Sequence, residues 1–411
     1  MPAKRARDNG EGSIFPYRNG WAAYVWVNKP DGTRDRKYVY GKDRETVHKK
    51  WIKLHAQAAQ GPVATSVPKL GPFLDRWLAE IIKPNRAPLT YATYETMVRL
   101  YIKPGLGEKK ITFGVREGQE WINSLSSICQ CCAQGKDTRR FRGKSRCCAI
   151  GRCCKDYLSA RTISDVRTCL RSGLSQAMVE ELVTKNVAAL LKLPRRRRVK
   201  NKSWTSEEAR KFLESARDDG DPLYAAYVLV LVNALRKGEV LGLDEEDDID
   251  LDAEEFTISH QLQRVGKQLL HRETKTEASD DTMPLPPISL TAIRLRLTRK
   301  AADRERAGDA WQDSSLLFTT ELGMPIEPRS FNRAWDARCA KAGVRKITVH
   351  DARGTCGTLL ADLDVHPRIA MRILRHADSA ITMELYTQAS TKKTREALKR
   401  LSESLEGDEE K

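Results

Sequence analysis

The sequence predicts a multidomain protein that is mainly α-helical and carries small β-sheets. The chain has 411 residues, and the usual domain size suggests two to four units that each bury a core of their own. Hydrophobic residues alternate near the front, follow helical spacing in the middle, and show both patterns in the last part. We therefore expect three successive domains of different construction.

The first 66 residues predict a small three-stranded sheet with one helix. Aromatic and polar residues alternate over 13–39, and Asn19-Gly20 and Asp31-Gly32 supply turn residues between the runs. The stretch 43–59 then carries helix-favouring residues with one apolar face. That face consists of Val47, Trp51 and Leu54. Because it could pack on the sheet, we expect residues 1–66 to form the first domain.

Residues 67–200 predict a helical domain between two linkers. Gly, Pro and small residues over 60–68 indicate the first linker. Leu193-Pro194, followed by four consecutive arginines, indicates the second. The hydrophobic periodicity between the linkers predicts four helices. These helices cover residues 70–82, 90–102, 162–177 and 179–191.

Residues 201–395 predict a third domain that is mostly α-helical with a small sheet. Thr205 and Glu208 have the spacing of a capping box, which predicts a helix start. Strands are expected over 249–263 and 282–285, on either side of a polar hairpin, and the pattern is almost wholly helical from Leu290 onward. Residues 396–411 predict the end of a C-terminal helix, which could dock on a neighbouring subunit, and an acidic tail.

Positive charge is concentrated in two segments. Lys and Arg outnumber Asp and Glu by 72 to 55 over the chain, giving a net charge of +17. Residues 1–66 carry +7 and residues 129–200 carry +13, so the remaining residues together are slightly acidic. A concentrated basic surface suits a polyanionic partner, because each Lys or Arg placed against a phosphate releases condensed counterions. Nucleic acid is therefore the expected partner.

Two features argue against a membrane or secreted protein. The longest apolar run, 223–235, is too short to span a bilayer and indicates a buried helix. The first twelve residues are polar and charged, without the apolar stretch of a signal peptide. We therefore expect a protein that stays in the reducing cytoplasm.

A cysteine-rich basic insertion is expected over 128–156. Seven thiols there surround a basic stretch, and such pairs could assemble a tetrahedral thiolate site for a structural zinc ion. The spacing is not that of two standard CxxC pairs, so the alternative is a reduced, mobile basic loop that contacts DNA nonspecifically. The candidate metal ligands are Cys129, Cys131, Cys132, Cys147, Cys148, Cys153 and Cys154.

The last 180 residues contain the groups needed to break a phosphodiester without a metal. That chemistry needs a nucleophile, cations around the non-bridging oxygens and an acid for the leaving oxygen. Each group alone is a weak signal, but their joint occurrence in this order is seldom accidental. The candidate catalytic residues are Arg236 at the end of the apolar helix, Lys275 in the polar hairpin, His350, Arg353, His376 and Tyr386.

These motifs resemble those of the tyrosine site-specific recombinases, or phage-type integrases. The resemblance covers residues 204 to 395. It rests on ALRKGEVLGL at 234–243, TKT at 274–276, HDARGTCGTLL at 350–360 and LRHADSAITMELYT at 374–387. Two departures are Arg375, where the family commonly has glycine, and Gln388, where it often has histidine. All six catalytic positions are nevertheless filled.

The resemblance implies a mechanism and a role for each domain. Tyr386 would attack the scissile phosphate, Lys275 would protonate the leaving oxygen, and His350 would accept the proton of the tyrosine. Arg236, Arg353 and His376 would stabilise the phosphate oxygens. Residues 1–66 would bind arm-type DNA sites, residues 67–200 would form the core-binding domain, and residues 201–395 the mixed α/β catalytic domain. The expected DNA-contact residues are Trp21, Tyr24, Trp26, Arg195, Arg196, Arg197 and Arg198.

The resemblance also implies partners. The protein would act as a homotetramer on core-type and arm-type attachment sites, through a four-way Holliday junction, with an excisionase and a host DNA-bending protein as candidate partners. No cofactor is required for this chemistry. The front half is similar to integrases of actinobacterial phages and integrative elements.

Three rival interpretations remain open from the sequence. A type IB topoisomerase uses similar residues to relax DNA without exchanging partners, but the front domains and the arginine-rich linker favour recombination. A catalytically silent DNA-binding regulator on the same scaffold is disfavoured by the complete catalytic set. A zinc-dependent nucleic-acid-binding module with incidental histidines is weaker still.

Overall fold

The computed structural model of the protein describes residues 14–29, 32–61, 67–195, 202–274, 282–375 and residue 383. The chain divides into two compact units, 1–197 and 198–411. The described part is mostly helical with small antiparallel sheets, as the sequence predicts. Among the described helices, none is both long and apolar enough to cross a bilayer.

The first unit opens with a three-stranded antiparallel sheet covered by one helix. Its elements are β1 (Ile14–Tyr17), β2 (Gly20–Asn28), β3 (Arg34–Gly41) and α1 (Arg44–Gln60). Asp43 caps α1 by accepting a hydrogen bond from the Thr46 backbone N–H at 2.7 Å. Val25 and Val27 of β2 pack against Leu54 of α1 in a small core. The predicted sheet and helix are confirmed.

A larger helical core follows in the same unit. Its helices are α2 (Leu70–Trp77) and α3 (Lys83–Asn85), joined by a π-helical turn at Leu78–Ile82, then α4 (Pro88–Met97) and α5 (Lys103–Leu106), joined by another at Val98–Ile102, then α6 (Val115–Ser124), α7 (Gln130–Ala133), α8 (Ala160–Val179) and α9 (Val187–Leu190). Trp77, Ile102 and Leu170 lie fully buried at its centre. The cysteine-rich insertion contains α7 and, between α7 and α8, three short 3-10 turns.

The predicted helix over 179–191 is wrong for most of its length. The chain leaves α8 after Val179, and Glu181 takes a positive φ of 56° that turns the backbone away from the helical path. Asn186 then donates from its side-chain amide to the Arg171 carbonyl at 2.8 Å, which ties the turn to α8. Within 179–191, only Val179 at the end of α8 and the four residues of α9 are helical.

The second unit is built around a short helix that is apolar on every side. Its elements are α10 (Ser206–Asp218), α11 (Tyr224–Leu231), α12 (Lys237–Gly242), β4 (Ile249–Asp250), β5 (Glu255–Thr257), β6 (His260–Val265), β7 (Gln268–Glu273), β8 (Thr282–Pro284), α13 (Pro287–Ala307), α14 (Pro328–Lys341), α15 (Val349–Asp362) and α16 (Pro367–Leu374). Every residue from Ala225 to Leu231 is buried. Phe212 of α10 packs against Trp204 and Trp335, which completes the core.

The predicted strand over 249–263 is divided into three separate strands. Asp250 accepts hydrogen bonds from the backbone N–H groups of Asp252 and Ala253, which closes a turn directly after β4. β4, β5 and β8 form one sheet, whereas β6 and β7 form a separate hairpin. Alternation of residue types alone could not show this change of sheet.

The capping box at the start of α10 is confirmed and is reinforced by a distant arginine. The Thr205 side chain accepts from the Glu208 backbone N–H at 3.2 Å, and Glu208 accepts from the Thr205 N–H at 2.9 Å. Arg345 also donates two hydrogen bonds to the Glu208 carboxylate, at 2.6 and 2.7 Å. This pairing with Arg345 is the main cause that lowers the pKa of Glu208 from 4.5 to about 2.

We expect Glu208→Gln to lower the free energy of unfolding by about 1 kcal/mol at pH 7, because the cap and the ion pair are weakened. A carboxylate with a lowered pKa stabilises the fold above its unfolded pKa, and this contribution is lost as the pH falls from 4.5 towards 2. Urea denaturation at pH 7 and pH 3 measures the difference, with Glu207→Gln as the control. If Glu208→Gln lowered the free energy of unfolding equally at both pH values, the lowered pKa of Glu208 would be contradicted.

Candidate active site

A cavity of about 530 Å³ brings together side chains from the start of α12, from α14 and from the start of α15. Arg236, His350 and Arg353 all line it, so the structure places three of the six predicted catalytic residues in one site. Lys237, Asn332 and Lys346 lie beside them. The other three predicted residues, Lys275, His376 and Tyr386, lie outside the described residues.

Arg353 is held deep in the site by backbone carbonyls. Its side chain donates to the carbonyl oxygens of Ala234 and Leu374, and only 3% of the residue is exposed. Ala234 has a positive φ of 53°, a conformation in which the carbonyl accepts this bond. The guanidinium is thereby fixed between the turn before α12 and the end of α16.

The cationic form of Arg353 is poorly compensated within the protein. Burial is the main cause that lowers its pKa from 12.5 to about 9, and the neighbouring positive charges of Arg236 and Arg375 lower the pKa further. A bound anion would favour the charged form and offset this cost. Glu239 offsets part of this effect by favouring the charged form, and an anionic ligand in the cavity would offset more of it.

Arg236 begins α12 and does not end the apolar helix, which corrects the predicted position. α11 ends at Leu231, and the chain turns before Arg236 becomes the N-cap of α12. Glu239 accepts from the Arg236 backbone N–H at 2.8 Å and from its guanidinium at 2.6 Å. The arginine is about half exposed at the cavity. The Glu239 carboxylate thus fixes the Arg236 guanidinium and leaves the other N–H donors of Arg236 for a ligand.

Arg375 is a third guanidinium joined to this network. It follows α16 in the left-handed conformation, with φ 45° and ψ 53°, which glycine adopts at lower cost. This geometry suits the glycine that the family resemblance implies at this position. The Arg375 side chain, 2% exposed, donates to Glu239 at 2.6 Å. Glu239 therefore bridges Arg236 and Arg375.

We expect Arg375→Ala to lower the free energy of unfolding by about 3 kcal/mol, because it leaves part of the buried Glu239 charge unpaired. Arg375→Gly should cost about 1 kcal/mol less than the alanine variant, since glycine relieves the left-handed backbone. Urea denaturation of the full chain measures both. Arg372→Ala, on the same helix and exposed, is the control. Equal losses for the glycine and alanine variants would argue against backbone strain at this position.

The start of α15 places His350 at the surface of the cavity. Thr348 caps the helix by accepting from the Asp351 backbone N–H at 3.1 Å, and Asp351 accepts from the Thr348 N–H at 3.0 Å. Asp351 is thus occupied in capping and orients the first turn. His350 is exposed, whereas Arg353, one helical turn further, is buried in the site.

The β6–β7 hairpin lies beside the helix that carries Arg236. Gly242 of α12 approaches the Gln261 backbone closely: a Cβ added to Gly242 would lie 2.8 Å from the Cα of Gln261. His271 of β7 forms a hydrogen bond with the Gly242 carbonyl at 2.8 Å. β7 ends at Glu273, two residues before Lys275. Another lysine of the hairpin, Lys267, lies in the turn between β6 and β7, where its carbonyl accepts from Arg264.

The predicted aromatic DNA contacts fall on two faces of the front sheet. By strand alternation, Trp21 lies on the face of Val25 and Val27, towards the helix, whereas Tyr24 and Trp26 lie on the open face. Sequence reasoning missed Arg36, which pairs with Trp26 across the strands and stacks 4.6 Å from the ring centre. The alternation of Arg34 and Arg36 could have indicated it. Arg195 is exposed; Arg196, Arg197 and Arg198 lie outside the described residues.

Comparison with known families finds a match within each unit. Residues 202–393 match the model of the phage integrase family, and residues 69–126 match that of the phage integrase N-terminal SAM-like domain. The chain belongs to the phage integrase family. The first match contains all six predicted catalytic positions. This integrase is therefore an enzyme of the tyrosine recombinase class, a site-specific DNA recombinase, and the topoisomerase and silent-regulator interpretations are not favoured.

Similar proteins extend the match over nearly the whole integrase chain. An integrase of Saccharopolyspora erythraea is 24% identical, over 93% of this chain and 94% of that protein. An integrase of Streptomyces ambofaciens is 25% identical and covers 94% of each chain. Among solved structures, the Tn1549 transposon integrase in complex with transposon right end DNA has a TM-score of 0.62 at 18% identity, covering 82% of this chain and all of that chain. That likeness supports the fold.

Proposed function

We propose that the integrase cleaves and rejoins DNA at specific sites through a 3′-phosphotyrosine bond to Tyr386, and so integrates and excises a phage or other mobile element. The observation that carries this proposal is the cavity in which Arg236, Arg353 and His350 meet. Two guanidiniums and an imidazole converging on one pocket suit a tetrahedral anion bound through its oxygens.

The two arginines have different roles in the reaction, because the Arg353 guanidinium is buried and fixed whereas the Arg236 guanidinium is about half exposed. Arg353, with two carbonyl partners, binds one non-bridging oxygen without reorganising during the step. Arg236 presents its remaining N–H donors to the other oxygen, oriented by Glu239. His376 completes the cradle. As negative charge accumulates on the phosphate oxygens, these donors stabilise the transition state more than the bound substrate.

The bond changes balance without a cofactor. The phenolic oxygen of Tyr386 attacks phosphorus, the bond to the 5′ oxygen breaks, and Lys275 gives its proton to that oxygen. His350 accepts the phenolic proton, because a free phenol with a pKa of about 10 is a poor nucleophile at neutral pH. The phosphotyrosine conserves the bond energy, so a 5′ hydroxyl of the partner duplex reverses the step without ATP.

Each domain has a separate DNA-binding role in this proposal. Residues 1–66 bind arm-type sites through the open sheet face, where Arg36 stacks on Tyr24 and Trp26 at 5.0 and 4.6 Å. Residues 67–200 clamp the core-type site, and residues 201–395 perform the chemistry. The basic segments of the first two domains support this division, since they hold the positive charge of the chain.

The active assembly is a homotetramer on two DNA sites. Strand exchange in this assembly proceeds through a Holliday junction. An excisionase and a host DNA-bending protein would set the direction of the reaction. The actinobacterial relatives support an origin in a phage or integrative element of that group, acting on DNA in the bacterial cytoplasm.

The decisive experiment uses a nicked suicide substrate built from the DNA that flanks the integrase gene. A covalent protein–DNA adduct that survives denaturing electrophoresis is the expected product. A topoisomerase would instead relax supercoiled DNA that lacks this sequence. Sequence-specific binding without an adduct would favour the silent regulator.

A further inference from the structure

The cysteine-rich insertion brings four thiol sulfurs into one cluster. The Sγ atoms of Cys129, Cys132, Cys147 and Cys153 all lie within 4.8 Å of one another. The Sγ of Cys147 lies 3.7 Å from that of Cys129 and 3.1 Å from that of Cys132. Four sulfurs around a tetrahedral zinc ion lie about 3.8 Å apart, whereas disulfide sulfurs lie about 2.05 Å apart. The spacing fits shared metal coordination better than covalent pairing.

Within the described range 67–195, the insertion has no apolar core that could fold it. In that range its only buried hydrophobic cluster consists of Cys129, Cys131 and Cys147. Its larger apolar side chains point outward, with Phe141 86% and Ile150 58% exposed. A segment of this size without an apolar core needs another source of folding free energy, and metal coordination is the usual one inside cells.

A buried aspartate organises the rest of the insertion around the cluster. Asp137, 2% exposed, accepts from the backbone N–H groups of Arg146 at 3.1 Å and Ala149 at 2.9 Å, and from the Arg140 guanidinium at 2.6 Å. These bonds hold the chain on both sides of Cys147. The turn therefore has a defined conformation in which that thiol enters the cluster.

The backbone around the cluster is arranged to stabilise thiolates. The Cys154 N–H donates to the Cys147 sulfur at 3.3 Å, and the Lys155 N–H donates to the Cys153 sulfur at 3.4 Å. Hydrogen bonds of this kind surround metal-bound thiolates and orient them. Cys147 has φ 62° and ψ −128°, a conformation that residues other than glycine rarely adopt. Such strain persists where the surroundings require it.

We propose that Cys129, Cys132, Cys147 and Cys153 bind one structural Zn²⁺ ion that folds the insertion over 128–156. Zinc fits because four thiolates in a tetrahedral set are its typical closed structural site. Cys131 and Cys154 form a second group with Cys147, but this group offers only three sulfurs. Cys148 belongs to neither group among the described residues.

The bound zinc ion would fix the conformation of the basic loop and therefore the positions of its charged side chains. Arg139, Lys144 and Arg146 are exposed on the insertion, and their positions follow from the turns that the cluster holds together. The zinc site lies in the first unit and takes no part in the phosphotyrosine chemistry. Its test therefore stands apart from the test of the proposed function.

The experiment measures the metal content of the full-length integrase, purified without chelators, by inductively coupled plasma mass spectrometry. We expect one zinc ion per chain. Cys132→Ser and Cys153→Ser replace ligands whose residues are exposed, so the chain outside the insertion should fold while most of the zinc is lost. Cys148→Ser, an exposed neighbour of Cys147 outside both groups, is the matched control and should keep the full amount. Substituted Co²⁺ should show tetrahedral ligand-field bands with thiolate charge transfer.

Limited proteolysis adds a readout of folding. Chelation of zinc should expose the basic stretch 136–146 to trypsin, while the second unit keeps its protection. The proposal is overturned by a zinc content near zero after refolding with zinc, or by two zinc ions per chain. It is also overturned if Cys148→Ser loses as much zinc as Cys132→Ser, or if intact-mass analysis finds disulfides among these cysteines.

Discussion

Replacing Tyr386 with phenylalanine is expected to abolish the covalent protein–DNA adduct and to slow strand cleavage by on the order of 10⁴-fold or more, because the nucleophilic oxygen is lost. Binding to the attachment site should stay within about twofold, since a single hydroxyl contributes little to an interface dominated by phosphate contacts. Single-turnover cleavage of the nicked suicide substrate measures the first effect, and a gel-shift titration at fixed salt measures the second.

The matched control is Tyr224→Phe, which removes the hydroxyl of a tyrosine in a separate pocket of the same unit. It should form the adduct at the normal rate. An adduct of undiminished yield in the Tyr386 variant would assign the nucleophile to another residue, and peptide mapping of the DNA-linked fragment would identify it.

Arg353→Lys should lower the cleavage rate by roughly 10²- to 10³-fold, although the charge is kept. One ammonium cannot reproduce a guanidinium that donates to the Ala234 and Leu374 carbonyls and still reaches the phosphate. A buried carbonyl left without its donor also costs about 1–3 kcal/mol of stability. Single-turnover cleavage and urea denaturation measure these losses separately.

Arg333→Lys serves as the control, because Arg333 is exposed on α14 and donates only to Ser330 in the described contacts. Its cleavage rate should change by less than about twofold. If Arg353→Lys were folded and as active as the wild type, the planar guanidinium would not be needed at this position. The proposed role of Arg353 in holding the phosphate would then be wrong.

Patterns that depend on neighbouring residues could be predicted from the sequence. The capping box at Thr205 and Glu208 acts within one helical turn, and its spacing alone locates the start of α10. The three front strands follow from alternation and turn residues. The meeting of Arg236 with His350 and Arg353 follows from no local pattern, because 114 positions separate Arg236 from His350. Only the joint occurrence of the catalytic residue types and the family resemblance indicate it.

Features that depend on the tertiary structure could not be predicted in the same way. Glu181 and Arg375 take left-handed backbone conformations without being glycine, so no residue type marked these turns. The bridge from Glu239 to Arg375 joins residues 136 positions apart. Sequence inspection noted Arg375 only as a departure from the family pattern, whereas its contact with Glu239 required the fold.

The position of α11 has a consequence for synthesis of the chain on the ribosome. This helix is apolar on every side, and it packs against α13 and α15. α15 begins at Val349, roughly 120 residues after α11 ends, and a ribosome adding about 5–20 residues per second needs about 6–24 s to produce that length. The apolar helix therefore emerges well before its last partner. During that interval α10, α12 and α13 can cover only part of α11, so the side of α11 that packs against α15 stays exposed in the nascent second unit.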